Sequence, residues 1–345
     1  MADTMRFEFA DPLTAIEEYF ARGFTDGLPV VPPTAEKVAE FLHAVSLQPD
    51  DIIGIEEVRG RALTAEKVAI NAVMAGCLPA YFPVVVAVVR AITKPEFTLH
   101  GSSSSTGGSA PLIAVNGPIT RELGMNATGN VLANGTRANA TIGRAIRLIQ
   151  MNVLGYVPGG LDCSTYGHPG KFTLCVAEDE TDSPWTPLFT ERTGLTGDGV
   201  TVMAAESGHQ IMNEWTRDPR EILDTFAAAM RANMLHYSIW SGNYCVVIGK
   251  QLRDLIVAAG WTKQDVREYV HEKARVKWGE WADVGKQAVV SRNDPKKEMC
   301  ALGSPDDLLV VAAGGAAGGF GMIFPPWVGH RSKAVSEPIA VNETE

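Results

Sequence analysis

Residues 110–118 read Ala-Pro-Leu-Ile-Ala-Val-Asn-Gly-Pro. An unbroken apolar run closed by Asn116, Gly117 and Pro118 is what a strand buried on both faces and stopped by a turn requires. The same texture recurs at 172–177, 200–204, 244–248 and 308–313, runs too short for core helices. Between them, helical spacing predicts helices over 141–154, 219–234, 252–259 and 262–275. Strands alternating with helices define an α/β fold. Upstream the chain reads as helical: 12–22 spaces Leu13, Ile16, Tyr19 and Phe20 on one face, Thr34 and Thr64 stand where they cap helices over 35–45 and 65–75, and Pro83 opens a helix over 82–92. The expected organisation is a mainly helical N-terminal region, 1–98, followed over 99–345 by a mixed β-sheet with flanking helices, as two domains or one continuous one. No internal repeat of fixed period is legible.

Composition sets outer limits. The 345 residues are 46% hydrophobic and 20% charged, enough to bury a large core. A formal charge of −10 argues against nucleic acid and against an anionic membrane, both of which reward clusters of Lys and Arg. The longest apolar run, 78–89, falls short of the about 18 residues that span a bilayer. Residues 1–9 mix acids with aromatics and lack a signal-peptide core, so a cytoplasmic location is expected.

The stretch 111–171 crowds polar residues between Gly and Pro, at Asn116, 124–130, 134–139, 162–164 and 168–171. Turn formation is the commonest use of Asn and Gly. Their sustained density, broken by apolar segments at 112–115 and 145–149, favours loops that hydrogen-bond a small polar ligand from a buried framework. In that reading Asn116, Asn126, Asn130 and Asn139 orient a substrate and Arg137 and Lys171 neutralise its charge. Ser103 and Ser104, in the Ser/Gly run 101–108, grip it with hydroxyls, unless that run is a flexible loop only. His100, Asp162 and His168 are the proton-transfer candidates. The loops 101–109, 124–139 and 162–171 are expected to converge on one pocket.

Five cysteines, with no Cys-x-x-Cys pair, read as reduced thiols. Cys175 and Cys245 fall inside apolar strands, whereas Cys77 and Cys163 do not, and Cys77 joins the catalytic candidates as a nucleophile. None of the seven histidines forms a His-x-x-His or His-x-x-x-His pair. A divalent metal remains an alternative, assembled across loops from His100, Asp162, His168, Glu206 and His209. The glycine run 314–319 follows a strand but precedes an extended, proline-stopped segment, so nicotinamide and flavin are not expected. The acidic run 178–182 is a solvated turn or the source of a general base.

Four phrases carry a family resemblance. They are Thr-Asp-Gly-Leu-Pro-Val-Val-Pro-Pro-Thr at 25–34, Asn-Ala-Val-Met-Ala-Gly-Cys at 71–77, Arg-Ala-Asn-Ala-Thr-Ile-Gly-Arg-Ala at 137–145, and Pro-Gly-Lys at 169–171. In these the chain resembles a bacterial family associated with the UGSC-motif (seleno)proteins, named for selenocysteine- or cysteine-Gly-Ser-Cys. Those proteins resemble the substrate-reducing subunits of glycine and proline reductases, where a selenol or thiol attacks a small activated substrate. This chain lacks Cys-Gly-Ser-Cys, so the resemblance implies either a separate redox partner or different chemistry on the same scaffold. Asn71, Cys77, Arg137, Asn139, Arg144 and Lys171 lie within the matching phrases, without roles carried over.

Two functions follow as expectations. One is an enzyme or enzyme subunit, expected to form a homo-oligomer, acting on a small anionic substrate by reductive or lytic cleavage of a carbon–heteroatom bond. Oxidoreductase, lyase and hydrolase stay open. The other is a non-catalytic substrate-binding or assembly subunit of a thiol/selenol redox complex.

Overall fold

In the computed structural model, which describes residues 5–237, 240–327 and 332–340, the five apolar runs are strands of two four-stranded sheets. Residues 1–4 of the N-terminal stretch read above, and His330, lie outside the described residues. The strands are β1 Ile52–Glu56, β2 Arg61–Thr64, β3 Ala110–Asn116, β4 Cys175–Ala177, β5 Gly199–Ala205, β6 His209–Met212, β7 Tyr244–Ile248, β8 Arg275–Lys277, β9 Glu298–Cys300, β10 Leu308–Ala312, β11 Phe320–Phe324 and β12 Val335–Pro338. One sheet has the order β12-β5-β3-β4 and the other β10-β7-β11-β6, while β1 with β2 and β8 with β9 form separate pairs.

Alternation along the strands decides the layering. Leu112 and Ala114 of β3, Met203 of β5, Cys245 and Val247 of β7 and Leu309 and Val311 of β10 share one apolar cluster between the two sheets. Their neighbours Ile113, Val115, Val200 and Val202 face a second cluster with the N-terminal helices. Val246, Ile248, Leu308 and Val310 face a third with the helices of the second half. Successive side chains point to opposite faces of a strand, so each sheet is apolar on both sides. The result is an α/β fold with helix, sheet, sheet and helix in layers.

The single mixed sheet expected from sequence is therefore two sheets. The N-terminal region also carries the hairpin β1–β2, and its helix Phe82–Ile92 packs on β5 and β12, so one core runs through the boundary expected near residue 98. Helices Ala65–Ala75 and Phe82–Ile92 end where periodicity places them. Arg137–Asn152 starts four residues before the expected 141, at Arg137. Strand β4 spans only Cys175–Ala177, because Pro169–Lys171 is a short 3-10 turn.

The two sheets repeat one pattern. In the first, β3 is flanked by parallel β4 and antiparallel β5, with β12 antiparallel beyond β5. In the second, β7 is flanked by parallel β10 and antiparallel β11, with β6 antiparallel beyond β11. The registers agree: Val115 lies opposite Ala177 and Val200, and Ile248 lies opposite Ala312 and Gly321. The fourth strand of each sheet follows directly on the third strand of the other, so the chain crosses twice between sheets. The crossings meet at the Ala205–Pro326 bridge, where Glu206 N–H donates to Pro325 O and Trp327 N–H to Ala204 O, both at 2.9 Å. By register, Glu206 and Trp327 occupy equivalent positions.

Candidate functional site

Two of the three expected loops meet at the start of β3. Thr165 N–H donates to Thr106 O at 3.0 Å, tying the Ser/Gly loop to 162–171. Gly108 has φ +81, and a methyl there would stand 3.0 Å from Ser164 Cβ and from the Gly167 backbone, so only glycine permits this approach. Asp162, buried at the junction, accepts Arg147 Nη2 at 2.8 Å and Lys171 Nζ at 2.7 and 2.9 Å. It also accepts the hydroxyl of Ser164, which in turn receives Lys171 Nζ at 2.6 Å. Burial pushes the Asp162 carboxyl up, but hydrogen bonds from Lys171, Ser164 and Arg147 outweigh it and hold the pKa at about 2. Burial lowers the pKa of Lys171 despite Asp162.

His168 is held beside this cluster with both ring nitrogens engaged. Gly170 N–H donates to Nδ1 at 3.2 Å, which makes Nδ1 the acceptor and leaves the proton on Nε2, 3.2 Å from Ala205 O. Burial, with Lys171 nearby, lowers its pKa against the pull of the Ala205 carbonyl and keeps the ring neutral.

The residue that follows Ala205 is Glu206, at the first crossing between sheets. The Tyr237 hydroxyl, from the end of helix Pro219–His236, donates to Glu206 Oε1 at 2.7 Å. Gly107 completes the contact: a methyl there would lie 2.7 Å from Tyr237 Oη and 3.3 Å from Glu206 Oε1. Burial pushes the Glu206 carboxyl up to about 7, against the opposing effects of the Tyr237 hydrogen bond and the Lys171 charge. Tyr237 is 37% exposed, so this end of the junction opens to solvent. The first half supplies Asp162, Ser164 and Lys171, the crossing supplies Glu206 and the second half supplies Tyr237, in keeping with the preference of ligand sites for junctions between structural units.

Other candidates are placed elsewhere. His100 Nδ1 lies 3.0 Å from Tyr156 Oη and 4.0 Å from the buried Glu56 carboxylate. Ser103 receives Gln150 Nε2 at 3.2 Å inside the protein, and Ser104 turns its hydroxyl back to His100 O. Asn116 is fully buried: its amide donates to Glu178 and Glu180 and its oxygen accepts Phe189 N–H, so no part of it is available to a ligand. Asn126, Asn130 and Asn139 organise the loop 124–139, which donates and accepts within itself and reaches Gly314 and Cys175, not the Asp162 cluster. Arg137 is exposed and donates to Gly76 O at 2.9 Å, closing the end of helix Ala65–Ala75. The Cys77 thiol is buried on Thr141 O and pushed up to about 12 by desolvation, which removes it as a nucleophile.

The metal alternative meets an equally physical obstacle. Asp162 is occupied by two cations, both nitrogens of His168 are spoken for, and His209 sits on the exposed strand β6. Among the described residues no three His, Cys, Asp or Glu side chains stand together as a metal site would need. The glycine run 314–319 leads into β11, without the helix N-terminus that a dinucleotide fingerprint uses. The acidic run holds the sheets together: Glu178 accepts Lys263 Nζ at 2.6 Å and Ala312 N–H at 3.1 Å, and Asp179 accepts Arg253 Nη1 at 2.8 Å.

Arg147 and Tyr237 carry no sequence motif. Arg147 did leave a trace, since Arg147 and Gln150, three apart, interrupt an otherwise apolar helical face and both prove buried. The phrases that carried the family resemblance pack on one another. Arg144 grips Asp26 through two bonds of 2.7 and 2.8 Å and reaches Pro29 O, while Arg137 donates to Gly76 O at 2.9 Å. Comparison of the chain with protein-family models, curated proteins and solved structures found no match.

Proposed function

We propose that the protein is an enzyme that moves a proton on a small anionic substrate held between the 105–108 loop, Lys171 and Glu206. The observation that carries this reading is the Glu206 carboxyl, raised to about 7 at a solvent-open junction and hydrogen-bonded to Tyr237. A general acid–base group works best with its pKa near the operating pH, and ordinary carboxylates lie well below it. Lys171 supplies the positive charge: a substrate anion takes the place of Ser164 Oγ on the ammonium, whose charge Glu206 already senses. Proton abstraction next to that anion, followed by loss of a neighbouring leaving group, is the lytic form of carbon–heteroatom cleavage.

The test is a carboxyl titration by carbon-13 NMR on protein labelled at glutamate Cδ, with Glu206→Gln assigning the resonance. A midpoint near 7 is expected. A midpoint in the ordinary glutamate range would remove Glu206 as the proton carrier and the proposal with it.

A further inference from the structure

His168 has both ring nitrogens engaged, and through them it touches the backbone on both sides of the site. On one side it caps the short turn Pro169–Lys171: Nδ1 accepts Gly170 N–H at 3.2 Å and the main-chain oxygen accepts Lys171 N–H at 2.9 Å. Gly170 makes room for the ring, since a methyl there would stand 2.6 Å from Cε1. On the other side Nε2 lies 3.2 Å from Ala205 O. That carbonyl belongs to the same planar peptide unit as Glu206 N–H, which donates to Pro325 O at 2.9 Å. The plane from which the Glu206 side chain departs is therefore held at both ends. One of the two holds is the imidazole that closes the turn carrying Lys171.

We propose that His168 is a positioning residue, a tie between the Lys171 turn and the Ala205–Glu206 peptide that fixes the lysine ammonium at its distance from the glutamate carboxyl. A rigid ring with a nitrogen on each side suits this task, and only the tautomer with its proton on Nε2 serves both contacts. The inference rests on the reading of Glu206 as the proton carrier for its meaning in the reaction, since an ammonium that binds the substrate anion must stand beside the carboxyl that works on it. The geometric claim is separable. Lys171 and Glu206 sense each other's charge, so a change in their spacing shows in the Glu206 titration whatever its wild-type midpoint.

Nitrogen-15 shifts of the His168 ring test the tie in the unaltered chain. A proton on Nε2 with Nδ1 bare is expected, and a proton on Nδ1 overturns the proposal. The second readout is the Glu206 Cδ titration. His168→Asn keeps an acceptor for Gly170 N–H but is too short to reach Ala205 O, and should raise the midpoint by about half a unit as the ammonium moves away. Gly170→Ala, which pushes the ring from its seat, should move it the same way. His168→Gln, which restores a donor at the reach of Nε2, should bring it back toward the wild type. In a Lys171→Met background His168→Asn should leave the midpoint unchanged, because the tie then has no charge to place. An equal shift in that background overturns the proposal, as does a midpoint that His168→Asn and Gly170→Ala leave in place. A downward shift also overturns it, by showing that the ring only excludes water. A wild-type midpoint in the ordinary glutamate range removes the acid–base reading of Glu206 instead, and the tie still stands or falls by these shifts.

Discussion

The two sheets share strand order, strand direction and central register, and differ in the side chains placed where the chain crosses between them. After β5 the crossing residue is Glu206, half-buried beside Tyr237 and Gly107. After β11 it is Trp327, whose indole closes over Gly101, so tightly that a methyl on Gly101 would stand 2.9 Å from the ring. The same backbone position thus holds a partly exposed carboxyl at one crossing and an apolar ring at the other. Backbone repetition builds the sandwich, and chemistry enters through residues that break the repetition, which is why fold alone does not fix function.

The opposite edge also breaks the symmetry. By register, Glu178, just after β4, and Ala313, just after β10, occupy equivalent positions in the two sheets. Glu178 reaches across to Lys263, in the helix Lys263–Lys273 that covers the second half, and both side chains are almost fully buried. Lys263→Met therefore tests whether a charge pair joins the two sheets there. It should cost about 3–5 kcal/mol in urea unfolding, because Glu178 would keep its burial and lose its cation. The double variant with Glu178→Met should recover part of that loss. A cost below about 1 kcal/mol for the single change would mean that apolar packing between the sheets suffices.

The uneven legibility of the molecule follows from where its information lies. Strands β3, β7 and β10 were readable because burial on both faces makes a continuous apolar run, with Tyr244–Ile248 found to the residue. β6, reading His-Gln-Ile-Met and mostly exposed, and β12, reading Val-Ser-Glu-Pro, owe their strand state to pairing with β11 and β5, which no local pattern announces. Their partners lie more than a hundred residues away, so the twofold arrangement was invisible too. In the site, Asp162 and Lys171 stood out as polar residues on glycine-shaped loops. Asn116 stood out for the same reason and proved to be a buried link between loops. Composition cannot distinguish an amide facing a ligand from one facing Glu178.

A second test weighs the site half against the rest. The folded pKa of Asp162, about 2, lies below the ordinary 3.8. A depressed carboxyl contributes stability above its unfolded pKa and loses it as pH falls through the folded value. The loss should therefore run from about pH 4 to pH 2 and amount to about 2 kcal/mol. Urea unfolding across that range should show the limb in the wild type and a flatter profile in Asp162→Asn. An unchanged acid limb in the variant would assign it to carboxylates elsewhere.

The smallest expected effect bears on the crossing itself. Tyr237 donates to Glu206 Oε1 and so favours the ionised carboxyl, opposing the burial that raises its pKa to about 7. Tyr237→Phe keeps the ring and removes the donor, and the Glu206 titration should move upward by about one unit or less, the worth of one hydrogen bond. Stability moves in the same sense. A raised carboxyl contributes fully below its unfolded pKa and loses that contribution as pH rises through the folded value, so the variant should hold it to a higher pH than the wild type. Trp327→Phe, at the equivalent crossing, should leave the Glu206 midpoint where it is. If Tyr237→Phe instead lowers the midpoint, the phenol acts mainly by excluding water, and burial by Tyr237 sets the acidity of Glu206.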